Sequence, residues 1–306
     1  MAFEQEHQNR ENSEPSFLRK MMIFILCLFG SFLLVALLAR TTLSSFFHIE
    51  NLKEFWANPS SQLQHMDALI YLMILNGTVF IIASLTFSKL AYRDSIDHFQ
   101  MSKKPDALLI FLACLTMVCA IPLVSFFSEA TQALPWPESL KNSMDSVSSG
   151  SKDLQSALLN MQNGAEFVLI LIILAVLPAL GEELLVRGSL QQILLEERMR
   201  PAWAITLAAL FFSAMHMQYE NFLGIFTYGL ILGFFYLWSQ NLWVSILAHF
   251  FNNAAIVTSS YLFEDKNLEP GSDSLAMSAL YALGSVMVVA IAMILFRRRA
   301  ERLKLG

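Results

Sequence analysis

MMIFILCLFGSFLLVALLA, residues 21–39, decides the fold class of this chain. The stretch has no charged residue, and it is close in length to the ~20 residues that a helix needs to cross ~30 Å of hydrocarbon. It is too long for the apolar part of a cleaved signal peptide, and Ala36–Arg40 is a poor cleavage site. We therefore expect a retained membrane-spanning helix.

Further uncharged runs predict about eight transmembrane helices in all. They lie at 68–88, 107–127, 167–180, 203–215, 222–238, 242–263 and 275–296. Because lipid leaves backbone polar groups without partners, and because the runs do not alternate with period two, helices are favoured over a barrel. A composition of 56% apolar and 15% charged residues agrees. The predicted fold is an all-α polytopic membrane bundle.

The basic residues predict the orientation of the bundle. With both termini cytoplasmic, most of the 20 Lys and Arg residues, Arg187 among them, fall inside, as the positive-inside rule requires. The exceptions would lie outside: Arg40, Lys53, Lys141, Lys152 and Lys266. We expect an integral protein of the plasma (inner) membrane, with the lipid bilayer as its surroundings and no nucleic-acid partner. Cys27, Cys114 and Cys119 fall in spans and are expected to be small apolar side chains.

Ionisable residues inside spans are functional candidates, because each costs at least ~2.5 kcal/mol on insertion. The run LPALGEELLVRG, residues 177–188, carries two carboxylates that point about 100° apart on a helix. Glu183 can pair with Arg187 at i,i+4, which leaves Glu182 free to face a cavity. The alternative is that both acids cap the cytoplasmic end of a span and reach water.

Two histidines also fall in spans. FFSAMH, residues 211–216, places Phe212 and His216 on one helix face, and HFFNN, residues 249–253, does the same for His249 and Asn253. A lone histidine of this kind is often only a hydrogen-bonded strut between helices. The other histidines lie in the tail or loops, where we expect them to be solvated: His7, His48, His65 and His98.

A carboxylate, two imidazoles and a carboxamide on separate helices are the groups needed to hydrolyse an amide. One group activates water and the others stabilise the oxyanion. Glu182, His216 and His249 would also suit a divalent metal such as Zn²⁺ with an open position for water, although HExxH is absent. The cofactor is therefore a metal or none. Gly229 and Gly233 form a GxxxG, which predicts close helix packing that brings the fifth and seventh spans together.

These motifs resemble those of the CPBP family of intramembrane proteases, also called the CAAX-protease or Abi family, which includes the Ras-converting endopeptidases. The resemblance covers about 167–258, and it implies an endopeptidase that acts on a peptide or membrane-protein substrate. It implies Glu182 as the group that activates water, with His216, His249 and Asn253 orienting it and stabilising the oxyanion. Glu183, Arg187 and Phe212, from the EExxxR and FxxxH motifs, would support the site.

The chain divides accordingly into one membrane domain with polar ends. We expect a disordered cytoplasmic tail at 1–20, N-terminal transmembrane helices at 21–127, an external loop at 128–166, the catalytic transmembrane core at 167–263, and the last helix with a basic tail at 264–306. Two other functions fit the same motifs. One is a membrane scaffold or chaperone that keeps them as interhelical hydrogen bonds, and the other is a transporter with a Glu/His relay, which lacks the expected inverted repeats.

The linear map contains one conflict. It places Glu182 near the cytoplasmic end of a span and His249 about 10 Å in, whereas His216, counted from Arg200, is about 24 Å in. These depths are incompatible with one site. The least costly explanation is that the fifth span tilts or starts deep, with Met217–Asn221 lining a cavity.

Overall fold

A computed structural model describes residues 15–47, 66–92, 95–139, 141, 155–197, 199–263 and 275–305, and these residues form helices and no strand. The all-α fold is thereby confirmed. The main helices are α1 (Phe17–Phe46), α2 (Met66–Ala91), α3 (Ser95–His98), α4 (Ala107–Cys119), α5 (Ile121–Gln132), α6 (Gly164–Glu196), α7 (Pro201–Met215), α8 (Phe222–Ser239), α9 (Leu242–Leu262) and α10 (Leu275–Leu305).

Among the described helices, six are long and apolar enough to cross a membrane. The pair α4 and α5 adds a seventh span if its two parts cross together, with a bend of 42° between them. Pro122 starts α5 and explains the bend, since proline lacks the N–H that would continue the helix. The apolar α7 has only 15 residues. The predicted count of eight spans is therefore not confirmed.

Large apolar side chains cover the outside of the bundle. Leu18, Phe29 and Met287 are 72%, 69% and 68% exposed. Apolar surface of this extent is suited to lipid, because a soluble protein rarely exposes large contiguous apolar patches.

The largest difference between the predicted and observed helix boundaries is at the end of α6. The sequence predicted a span that ends at Leu180, but the helix continues to Glu196. Two π-helical segments, Ile172–Val176 and Val186–Gln191, flank its central part. At 1.5 Å per residue, Glu182 lies about 21 Å from the end of the helix at Glu196. The alternative that Glu182 and Glu183 cap the end of a span is therefore wrong, and Arg187 is buried instead of lying at the cytoplasmic surface.

This longer α6 removes the conflict in depth. Leu242, at the start of α9, packs beside Gly188, which is about 12 Å along α6 from Glu196. His249 is about 10 Å further along α9, so it reaches nearly the depth of Glu182. His216, one residue past the 15-residue α7, lies at a similar depth. The fifth span need not tilt or start deep, because the prediction ended the fourth span too early.

Asp106 caps the start of α4 and joins it to α10. The Asp106 carboxylate accepts a hydrogen bond from the Leu109 N–H at 3.0 Å and caps α4. It also binds the guanidinium of Arg299 on α10 at 2.7 Å, and this hydrogen bond holds the pKa of Asp106 below its usual range. The start of α4 and the end of α10 are thus joined.

His98 is half-buried and packed against an aromatic ring, whereas a solvated role was predicted. Its ring stacks on Tyr92 with centroids 3.7 Å apart, and its Nε2 is buried. Burial lowers the pKa of His98 to about 4, although a hydrogen bond to the Gly188 backbone acts in the opposite direction. The imidazole is therefore neutral at physiological pH.

Several predictions lie wholly or partly outside the described residues. They concern His7, His48 and His65, most of the 1–20 tail, and 140 and 142–154 of the external loop. Helix α1 begins at Phe17, α5 continues to Gln132 and α6 begins at Gly164, so helix enters both the predicted tail and the predicted loop. The domain boundaries remain predictions.

Candidate active site

Three side chains from three helices converge inside the bundle. The Glu182 Oε2 atom lies 3.8 Å from His216 Nε2 and 3.9 Å from His249 Nε2. Both separations are too long for a direct hydrogen bond. Glu182 Oε2 is buried and has no hydrogen-bond partner among the described residues. Both Nε2 atoms therefore lie beside the same carboxylate oxygen, and the side chains of His216 and Glu182 are 26% and 15% exposed.

The predicted pair of Glu183 and Arg187 is formed in the core. Arg187 Nη1 donates to Glu183 Oε1 at 2.8 Å, and both side chains are almost wholly buried. The same carboxylate oxygen lies 3.0 Å from His249 Nδ1. A carboxylate can only accept here, so Nδ1 carries the proton and Nε2 faces Glu182. The pair thus fixes the orientation of His249.

The Phe212 ring packs against His216, His249 and Arg187. Its ring centroid is 4.7 Å from that of His216, 5.9 Å from that of His249 and 4.5 Å from the guanidinium carbon of Arg187. The ring is 3% exposed. It packs against both histidines and lies against the cation.

The end of α7 orients His216. The residue is the C-cap of α7, and its Nδ1 lies 2.8 Å from the carbonyl oxygen of Phe212, so Nε2 again faces Glu182. Met217 follows with φ of 53°, the left-handed conformation that turns the chain at a helix end. The Ser213 hydroxyl donates to the Phe222 carbonyl at 2.6 Å across this turn. Hydrogen bonds therefore fix the turn both to α7, through His216, and to α8, through Phe222.

Gly229 and Gly233 of α8 lie against α6 and accept hydrogen bonds from two of its side chains. Arg187 Nη2 donates to the Gly229 carbonyl at 2.9 Å, and Gln191 Nε2 donates to the Gly233 carbonyl at 3.0 Å. Gly229 also packs on Ala209 of α7, so the predicted close packing is confirmed for the fifth span. The second neighbour is α6, however, and Gln191 is a residue that the sequence analysis missed.

Gly229→Ala should destabilise the protein by about 1–3 kcal/mol, because the added methyl would lie 3.0 Å from Ala209 Cβ and 3.1 Å from its Cα. Since that neighbour is backbone, α7 and α8 must separate, and Phe212 must move with them. Thermal unfolding in detergent measures the effect. Gly284→Ala on α10 is the control, because nothing lies within 4 Å of its added methyl. Equal melting temperatures for the two variants would contradict this packing.

Asn253 is the predicted site residue that the structure does not join to the others. It lies one turn after His249 on α9, and its Oδ1 accepts a hydrogen bond from Asn252 at 3.3 Å. No described hydrogen bond connects it to Glu182, His216 or His249.

The predicted metal set has suitable donors but not a suitable arrangement. Zinc ligands at 2.0–2.2 Å in a tetrahedron lie about 3.4 Å apart, which is less than the 3.8 and 3.9 Å found between Glu182 and the histidines. Among the described residues, no group of three or more His, Cys, Asp and Glu side chains could hold a metal ion.

The comparisons with known proteins agree with the motifs. Neither the curated proteins nor the solved structures contain a significant match to the chain. One family model matches residues 164–255, the part of the chain that carries Glu182, His216 and His249. This match confirms the resemblance found in the sequence and supports a membrane-embedded protease. Over residues 164–255 the chain is identified as similar to the type II CAAX prenyl endopeptidases described as Rce1-like.

Proposed function

We propose that this protein is an intramembrane endopeptidase of the CPBP type in which Glu182 activates the attacking water. The observation that carries the proposal is the convergence of Glu182 Oε2 with the two Nε2 atoms at 3.8 and 3.9 Å. A water held at about 2.8 Å from each of these atoms would bridge separations of this size. The family match at 164–255 supports the reaction class.

The charges of the cluster suggest its protonation state. Glu182 and Glu183 bring two negative charges and Arg187 brings one positive charge, so neutral histidines would leave a net negative charge buried in the bundle. Both Nε2 atoms and Glu182 Oε2 would then be acceptors, whereas one water has only two protons to donate. A proton on one imidazole makes the cluster neutral and satisfies the third acceptor. We infer that the resting site contains one imidazolium.

In the proposed mechanism, Glu182 takes a proton from water as the water oxygen attacks the peptide carbonyl carbon. The imidazolium Nε2–H donates to the carbonyl oxygen as it becomes negative. When the C–N bond breaks, the proton held by Glu182 passes to the leaving nitrogen. Glu183 and Arg187 hold His249 in place throughout. Asn253, which has no described contact with the three groups, would donate its amide to the substrate.

No step of this mechanism passes through a metal. The donor set of Glu182, His216 and His249 is chemically suitable for Zn²⁺, but their spacing does not fit it, as described above.

We further propose that both termini are cytoplasmic and that the membrane is the plasma membrane. Four helix ends that the basic residues assign to the inside are joined in two pairs. Lys20 at the start of α1 binds Glu196 at the end of α6 at 2.7 Å, and Arg299 near the end of α10 binds Asp106 at the start of α4. The grouping supports one shared side, which the positive-inside rule makes the cytoplasm.

The function can be tested by comparing membrane protein termini in host cells. Cells producing the wild-type protein, the His249→Ala variant or an exposed control variant, Glu197→Gln, would be analysed for new N- and C-termini by mass spectrometry. We expect a set of termini in the wild-type and control cells that disappears with His249→Ala at equal protein levels. Identical termini in all three would favour a scaffold and would contradict the protease.

A further inference from the structure

The segment 97–103, which runs from the last turn of α3 toward α4, lies outside the matched residues 164–255. It contacts α6 and α9, the helices that carry Glu182 and His249. Its contacts with α6 involve His98 and Phe99. The His98 carbonyl accepts a hydrogen bond from Gln192 Nε2 at 2.6 Å, and the His98 ring lies beside the Gly188 backbone. A methyl on Gly188 would lie 2.7 Å from the Phe99 ring, so the segment rests directly on the α6 backbone.

The same segment caps the start of α9 with its carbonyl groups. Asn241 Nδ2 donates to the Lys103 carbonyl at 2.7 Å, and the indole N–H of Trp243 donates to the Met101 carbonyl at 3.2 Å. The Leu242 N–H contacts the Gln100 carbonyl at 3.4 Å. Successive residues of one segment therefore bind α6 on one side and α9 on the other.

These contacts lie at matching distances from the catalytic groups. Gly188 is about 9 Å along α6 from Glu182, and Leu242 is about 10 Å along α9 from His249. Since α6 and α9 run antiparallel here, any sliding of one helix past the other at this level would move Glu182 relative to His249. Gln192 also donates to the Tyr236 hydroxyl, which extends the connection to α8.

We propose that segment 97–103 sets the position of the Glu182 helix relative to the His249 helix, with His98 and Gln192 as positioning residues. The catalytic consequence rests on the proposed function, but the structural consequence does not. The half-buried ring of His98 suits this role, because it lies beside the α6 backbone at Gly188 and stacks on Tyr92 with centroids 3.7 Å apart. A displacement of only about 1 Å between reacting groups can cost about 10²-fold in rate.

The structural part is tested by pulsed electron paramagnetic resonance on the full chain, with Cys27, Cys114 and Cys119 replaced. Spin labels at the exposed positions Val176 on α6 and Phe251 on α9 report the separation of the two helices. We expect His98→Ala to shift or broaden the distance distribution by at least about 1 Å. His98→Asn keeps a donor near the Nδ1 position and should restore the wild-type distribution. Lys104→Ala, an exposed neighbour, is the control.

An unchanged distribution in His98→Ala would overturn the proposal, as would a displacement that His98→Asn does not reverse. If His98→Ala fails to fold, Gln192→Ala removes the bond to the His98 carbonyl and takes its place. Turnover separates this proposal from the proposed function. We expect His98→Ala to lower kcat about 10–100-fold with KM within about twofold. Loss of turnover in Glu182→Gln with wild-type kcat in His98→Ala would contradict only the positioning role.

Discussion

Glu182→Gln should lower kcat by about 10²–10⁴-fold and leave the thermal stability of the protein close to that of the wild type. The amide keeps the shape of the side chain but cannot accept a proton from water. Stability should be retained, because Glu182 Oε2 has no hydrogen bond to lose within the part of the chain that the structure describes. The measurement is turnover of a peptide from the cleaved sequence, together with a melting curve in the same detergent.

The matched control for this variant is Glu197→Gln, which makes the same chemical change at an exposed position just past the end of α6. It should have wild-type kcat. Turnover by Glu182→Gln at the rate of this control would remove Glu182 from the reaction. Loss of melting temperature in parallel with loss of turnover would indicate a structural role instead.

Breaking the ion pair between Glu183 and Arg187 should cause the largest loss of stability. Either Glu183→Gln or Arg187→Met leaves a charge in the core without its partner, which typically costs about 3–5 kcal/mol. Both residues are 0% exposed, so water cannot compensate the remaining charge. Chemical or thermal unfolding of the two single variants measures the loss.

The double variant, Glu183→Gln with Arg187→Met, separates stability from activity. Removing both charges should recover much of the stability, because a buried pair often contributes little beyond its own desolvation cost. Activity should stay low, since His249 Nδ1 then lacks the carboxylate 3.0 Å away that orients it. A double variant as unstable as the sum of the two single variants would mean that the groups do not interact.

The sequence predicted the fold class and the principal site residues for physical reasons that the structure retains. Long uncharged runs have few alternatives to membrane helices, and an acid and a base at i,i+4 meet on any regular helix. Glu183 and Arg187 therefore pair as expected. Glu182, His216 and His249 were each conspicuous because an ionisable side chain in a span needs a reason to be there.

The depth of the site in the membrane could not be predicted from the uncharged runs. Glu182, Glu183 and Arg187 interrupt the apolar run that begins near Phe167, so a search for uncharged residues ends the helix at Leu180. In the structure Glu183 and Arg187 form a buried ion pair, and the helix continues. Gln191 was missed because it is not ionisable and belongs to none of the motifs. Its spacing of i+4 from Arg187 and i+8 from Glu183 on an apolar helix was the available signal.

His98 illustrates a different limit of the sequence. A histidine between two spans is expected to be solvated, and nothing in the local pattern predicts that segment 97–103 folds back against α6 and α9. That contact depends on Gly188, where any side chain would collide with Phe99. The importance of this glycine becomes visible only when the two segments are seen together.

The most direct test of the central claim is a high-resolution experimental density map of the site with anomalous data collected for zinc. The account predicts one ordered water within about 3 Å of Glu182 Oε2 and of the Nε2 atoms of His216 and His249, without anomalous signal. Histidine rings turned away from Glu182, or an anomalous peak at that position, would contradict the proposed mechanism.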